Sequence, residues 1–287
     1  MSDEFAVTGL GSALYDRIGR TYTSTRRPDP RIAAAIWDAL GDARSVLNVG
    51  AGAGSYEPTD RELVALEPSP VMIAQRPSGA GANRVRVIQG RAEELPFEDD
   101  SFDAVMAVLS DHHWSDRGRG LRELRRVARG RVVLFNANPA QADLFWLTTE
   151  YLPGFADLIP PRYREPGVWV EDLRSTLGEV KLIPVPVPHD CTDGFYGAYW
   201  RRPEAYLDPA VRAGISVFAQ LSSDAVERAI EALRADLETG RWQERHRELL
   251  TTDELHLGYY VIVAESPNRA MRSIARQHPK SQTGGRT

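Results

Sequence analysis

The stretch "SVLNVGAGAGSYEP", which begins at Ser45, constrains this chain more than any other. Val46 to Val49 form a short, nearly apolar run with one polar residue, Asn48, near its end. Glycine then takes alternate positions, at Gly50, Gly52 and Gly54. Such a run reads as a strand buried on both faces, followed by a turn that needs positive φ or lets a ligand approach the backbone closely. A strand of this kind must have similar neighbours and helices to cover them. The chain supplies both. Asp29 and Pro30 open a helix over "DPRIAAAIWDALG", where Ile32, Ala35, Ile36 and Leu40 share one face and Gly41 ends it. "ELVALEP", "RVRVIQG", "SFDAVMAVLS" and "GRVVLFNA" read as further strands, with helices over "SPVMIAQRP" and "RGLRELRRVA" between them.

After Pro139 the rhythm changes to aromatic and Pro-rich segments. "VWVEDLRSTLG" reads as a helix, and "VKLIPVPVP" as one strand whose prolines put it at or near a sheet edge. Residues 203–250 read mostly as helices, and "LGYYVIVAE" as the last strand. The expected fold is α/β: a Rossmann-like, seven-stranded, mostly parallel sheet with helices on both faces and a partly helical cap insertion.

In such sheets a ligand sits beyond the carboxyl ends of the strands, where N–H groups after the glycines can meet an anion or a carboxylate. A dinucleotide fingerprint, G-x-G-x-x-G/A, fails here because its last position falls on Ser55. No Gly-Lys-Ser/Thr of a P-loop follows either. The spacing G-x-G-x-G instead resembles motif I of the class I S-adenosylmethionine-dependent methyltransferases. "LVALEPS", ending its strand on Glu67, "QGRAEELPFEDDSFDAVMAV" and "LRELRRVARGRVVLF" resemble later motifs of the same family. The likeness runs from about Tyr15 to Ala137 and is greatest to the type 11 branch, related to ubiquinone/menaquinone C-methyltransferases.

That resemblance implies S-adenosyl-L-methionine as cofactor, held by Asn48, Gly50, Gly52, Gly54, Glu67, Pro68, Ala92, Glu93 and Leu109. Glu67 would accept from the ribose hydroxyls, Ala92 would offer its N–H to the adenine ring, and Glu93 would accept from the exocyclic amine. "YDRIGRTYTSTRRP" is similar to the family's lid helix, with Tyr22 and Arg26 covering the cofactor and an arginine pairing with its carboxylate. The implied division is a lid segment (1–30), a cofactor-binding core (31–139), a cap and substrate region holding the sixth strand (140–255), the last core strand (256–265) and a disordered tail (266–287). The family has acids where Asn48 and Arg91 stand. Asn48 is expected to brace the glycine turn by neutral hydrogen bonds, or to meet the cofactor's ammonium through its amide oxygen. An Asn48→Asp variant is then expected to bind cofactor more tightly.

Beyond the fourth strand the chain reads "LSDHHWSD". His112 and His113 should point to opposite sides of an extended segment. Either could be an acceptor-side base, since an ordinary His titrates near neutrality; the alternative is packing or capping under Trp114. Tyr15, Trp114, His189, Phe195, Tyr196, Tyr199 and Trp200 are the expected substrate-binding residues, although the rings of "HDCTDGFYGAYW" could equally pack the cap onto the sheet. No metal site is expected, because "HDC" matches no zinc spacing. Cys191, the single cysteine, precludes an intrachain disulfide and fits a reducing cytoplasm. The formal charge of −5 opposes binding to a phosphate backbone. No apolar stretch is long enough to span a bilayer. The expectation is a cytoplasmic monomer or homodimer, without nucleic-acid or membrane partners, that methylates an O, N or C atom of a small molecule. Non-methylating chemistry on the same fold, such as cyclisation, and nicotinamide oxidoreduction are the rivals.

Overall fold

The computed structural model describes residue 16 and residues 22–77 and 85–266. Five strands run parallel: β1 (Ser45–Val49), β2 (Glu62–Glu67), β3 (Arg86–Gln89), β4 (Phe102–Val108) and β5 (Ala128–Ala137). Later come β6 (Val180–Pro184), the short strands β7 (Val187–Pro188) and β8 (Glu254–Leu255), and β9 (Tyr259–Glu265). The main sheet has seven strands in the order β3-β2-β1-β4-β5-β9-β6, with β9 antiparallel to both its neighbours. The expected strand over "VKLIPVPVP" is in fact two. β6 ends at Pro184 on the sheet edge, and β7 pairs with β8 in a separate ladder. Prolines without an N–H cannot extend the main ladder, which explains both the break and the edge position.

Alternate side chains of each central strand enter opposite cores, as the period of two requires. Val46, Met106, Phe135 and Val261 face one core, with Ile32, Ile36 and Leu40 of the helix α1 (Pro30–Leu40). Leu47, Val105, Leu134 and Ile262 face the other, with Leu121 and Leu124 of α2 (Arg117–Val127) and Trp169 and Leu173 of α3 (Val168–Leu177). Asp29 caps α1 by accepting from the Arg31 N–H, and Asp116 caps α2 by accepting from the Arg119 N–H. Helix termination at Gly41 uses φ 58°. The cap continues the first core: Phe145, Trp146, Tyr206 and Trp242 pack there, and Phe195 and Tyr259 meet the Phe135 ring. The helix expected after Ser69 is a single turn, Pro70–Ile73. The proposed tail lies almost wholly outside the described residues. Among those residues, no helix is long and apolar enough to cross a membrane.

Candidate cofactor and active site

The carboxyl ends of β1, β2 and β4 converge on one cavity, enclosing about 980 Å³ of empty space with its open mouth included. Gly50, Gly52 and Gly54 have φ of 68°, 52° and 94°, a region that penalises any Cβ. At Gly50 a Cβ would also lie 2.7 Å from the Ser110 Cβ, so the turn sits directly against the end of β4. Leu109 and Tyr56 line the same cavity and also take positive φ, 48° and 64°. Non-glycine residues in that region cost roughly 1–3 kcal/mol each and concentrate where function over-determines the backbone.

Two acids reach the cavity. Glu67, 6% exposed, accepts from the Gly52 N–H (2.8 Å) through one oxygen and from the Ser69 N–H (2.9 Å) through the other. It therefore clamps the glycine turn to β2. Burial pushes its carboxyl up, against those two backbone bonds. Glu93 takes the Ser115 hydroxyl (2.7 Å) and the Asp116 N–H (3.2 Å) on one oxygen. Burial acts to raise its carboxyl, but these hydrogen bonds outweigh it and hold Glu93 below the usual carboxylate range. Asn48 does not brace the turn as expected. Its Nδ2 donates to the Glu57 carboxylate (3.0 Å), while its Oδ1 is buried without a partner.

Arg26 reaches the cavity wall and pairs there with Asp193, donating from Nε (2.7 Å) and a terminal nitrogen (3.3 Å). The Tyr56 hydroxyl donates to the same carboxylate (2.8 Å), as does the Gly194 N–H (2.7 Å). Asp193 thus joins the segment before α1, the glycine loop and the cap at one buried point. The sequence reading picked the aromatic rings around Asp193 and passed over the acid itself. Tyr56, Ser110 and Met72 line the cavity as well and were not expected there, although Ser110 directly follows Leu109 and Tyr56 lies two residues past Gly54.

His113 and Trp114 line the cavity. The two histidines do not diverge. Asp111–His113 is a turn of 3₁₀ helix, and its tighter winding brings the rings together at 3.9 Å between centroids. His112 is exposed to solvent. Desolvation lowers its imidazole, the Arg117 and Arg26 charges add to that, and Asp111 opposes it. His113 lies well below the ordinary value, through desolvation first and then the neighbouring His112 and Arg26. Both rings are therefore neutral near pH 7 and able to accept a proton.

The sign of the stability effect follows. Folded His113 binds fewer protons than the unfolded chain does below about pH 6.5, so stability falls as pH drops through that region. His113→Gln is expected to flatten this acid-side fall in melting temperature between about pH 7.5 and about pH 5. A slope identical to wild type would remove His113 as the group responsible.

Pro68, Ala92 and Leu109 line the cavity. Of the expected substrate rings Trp114 lines it, whereas Phe195, Tyr196, Tyr199 and Trp200 are not among its lining residues. Trp200 is fully buried with its Nε1–H donating to the Val187 carbonyl, and Phe195 packs on Tyr259. Tyr196 stacks on Phe155 and bonds the Thr148 hydroxyl, while Tyr199 lies under Arg202. Phe195 thus ties the cap to the main sheet, and Tyr196 and Tyr199 pack within the cap. His189 sits outside the cavity, near the Asp253 carbonyl. Tyr15 and the Tyr22 side chain lie outside the described residues. Among the described residues, no cluster could hold a metal ion.

Comparison with known proteins agrees with this geometry. Residues 47–135 match the family profile of a methyltransferase domain, type 11. A crystal structure of a methyltransferase candidate from an antibiotic biosynthesis pathway of Anabaena variabilis is 34% identical, with a TM-score of 0.74, over 84% of this chain and 98% of that one. A methyltransferase of Bacillus subtilis, YcgJ, is 39% identical over 98 residues, 31% of this chain and 39% of that protein. The demethylmenaquinone methyltransferase of Deinococcus radiodurans is 33% identical over 46% of this chain and 58% of its own length. The matched stretches thus span about two-fifths to three-fifths of these two curated relatives.

Proposed function

Since this chain belongs to the type 11 branch of the S-adenosylmethionine-dependent methyltransferases, we propose that it transfers a methyl group from S-adenosylmethionine to an O, N or C atom of a small molecule. The observation that carries the assignment of the cavity is its set of acceptors beside a Cβ-free turn. Each carboxylate oxygen of Glu67 uses one lone pair on the backbone and keeps another for a ribose hydroxyl. The orphaned Oδ1 of Asn48 suits a ligand donor, and such a buried acceptor would otherwise cost roughly 1–3 kcal/mol.

Bound S-adenosylmethionine would supply a methyl group on a positively charged sulfur, activated for in-line displacement. The chain's own part is to bind, orient and exclude water. Positioning alone can contribute on the order of 7–11 kcal/mol. Ala92 and Glu93 would hold the adenine end, and Pro68 and Leu109 its apolar sides. Arg26 would face the amino-acid end. A neutral imidazole nitrogen of His113, or of His112 behind it, would take the acceptor's proton when the acceptor carries one. A small-molecule acceptor in the cytoplasm, and no nucleic acid, is part of the proposal; the net charge of −5 supports it. The quinone substrate named for the Deinococcus relative makes ring-bearing acceptors the first class to screen.

Isothermal calorimetry with S-adenosylhomocysteine and with NAD tests the cofactor. Heat is expected with the first and none with the second. The reverse result, or none with either ligand at saturating concentration, would refute the assignment.

A further inference from the structure

We propose that Glu57 is a positioning residue which fixes the Asn48 amide so that its oxygen, and never its NH₂, faces the cofactor cavity. The inference rests on the reading that this cavity holds a nucleoside bearing an amino-acid group. Asn48 ends β1 at the cavity wall and is 1% exposed. An amide in such a place can be turned either way, presenting a donor or an acceptor. Its outer neighbour decides which. The Glu57 carboxylate lies 3.0 Å from Nδ2 and can only accept, so the reversed amide would set oxygen against oxygen.

Glu57 itself is held. Arg76 pairs with its other oxygen and also donates to the Gly52 carbonyl (3.2 Å). The side chains of Glu57 and Arg76 are 10% and 8% exposed. The chain Asn48–Glu57–Arg76–Gly52 therefore wraps the back of the glycine turn and points one buried, unpartnered acceptor, the Asn48 Oδ1, towards the ligand side. A charge behind the amide strengthens that acceptor. Its natural partner is a cationic donor, and in S-adenosylmethionine and S-adenosylhomocysteine that donor is the α-ammonium.

This arrangement also explains the missing acid. An Asp at position 48 would stand about 3 Å from the Glu57 carboxylate, where one of the two would have to keep a proton. The negative charge has moved nine residues along the chain, and the amide relays it. Asn48→Asp alone should therefore not bind the cofactor more tightly, contrary to the expectation from the family's motif.

The test compares two ligands by calorimetry: S-adenosylhomocysteine, and 5′-methylthioadenosine, which shares the adenosine and thioether but has no ammonium. Glu57→Gln lets the amide turn, because a glutamine side chain both donates and accepts. It should weaken S-adenosylhomocysteine roughly ten-fold and leave methylthioadenosine unchanged. Asn48→Ala should do the same. The double variant Asn48→Asp, Glu57→Gln should recover binding, since a carboxylate offers acceptors on both sides and needs no orienting partner. Equal losses for both ligands, unchanged S-adenosylhomocysteine binding in Glu57→Gln, or no recovery in the double variant would each overturn the proposal. Wild type binding neither ligand would instead refute the cofactor reading on which it rests. If Glu57→Gln alone does not fold, the double variant, which keeps one carboxylate in the Arg76 network, still decides.

Discussion

Glu67→Ala is expected to weaken S-adenosylhomocysteine binding about a hundred-fold or more. Hydrogen bonds to a charged acceptor contribute roughly 1.5–3 kcal/mol each, and Glu67 has a spare lone pair on each oxygen for a ribose hydroxyl. The same substitution frees the Gly52 and Ser69 N–H groups, so the glycine turn loses its tie to β2. Glutamine is no substitute here. Its NH₂ would face one of those two N–H donors, leaving a buried donor pair with no acceptor. Glu67→Gln should therefore resemble Glu67→Ala. Calorimetry on both variants checks the expectation, with circular dichroism to confirm folding. Wild-type affinity in Glu67→Ala would sink it.

Asp193→Ala is expected to destabilise the protein by roughly 3–5 kcal/mol, the usual cost of breaking a buried ion pair by removing one of its members. The side chains of Arg26 and Asp193 are 8% and 1% exposed, so the guanidinium could not replace this carboxylate with water without moving the segment before α1. The Tyr56 hydroxyl would lose its acceptor as well. Chemical denaturation at neutral pH measures the loss. Replacing both charges, as Arg26→Met with Asp193→Leu, should cost less than Asp193→Ala alone, because the buried positive charge is removed together with the negative one. If Asp193→Ala unfolds at the wild-type denaturant concentration, the cluster does not hold the cap to the core. S-adenosylhomocysteine affinity should also fall in Asp193→Ala, since Arg26 and Tyr56 both form the cavity wall.

Much of this molecule was legible in one dimension. Glycines with positive φ, an acid ending the second strand, and apolar runs too continuous for a one-sided sheet are local signals that survive without tertiary knowledge. The cavity lining followed from them at Asn48, Gly50, Gly52, Glu67, Ala92 and Glu93. The cap was less readable. Phe195 and Trp200 carry the same ring chemistry whether they line a pocket or fill a core, and only the neighbours decide. The histidine pair was misjudged through backbone geometry, because an extended segment separates adjacent side chains and a 3₁₀ turn does not.

Local residue patterns placed the five parallel strands, the glycine turn after the first of them and the acid that ends the second. All of these depend on residues close together in the chain, where periodicity and backbone preference act. How the charges are shared was settled in three dimensions. Arg26 and Asp193 are 167 residues apart, and Asn48 takes its meaning from Glu57 and from Arg76 beyond it. A buried charge is tolerated only beside its partner, and which partner comes within reach is settled by the packing of the whole fold.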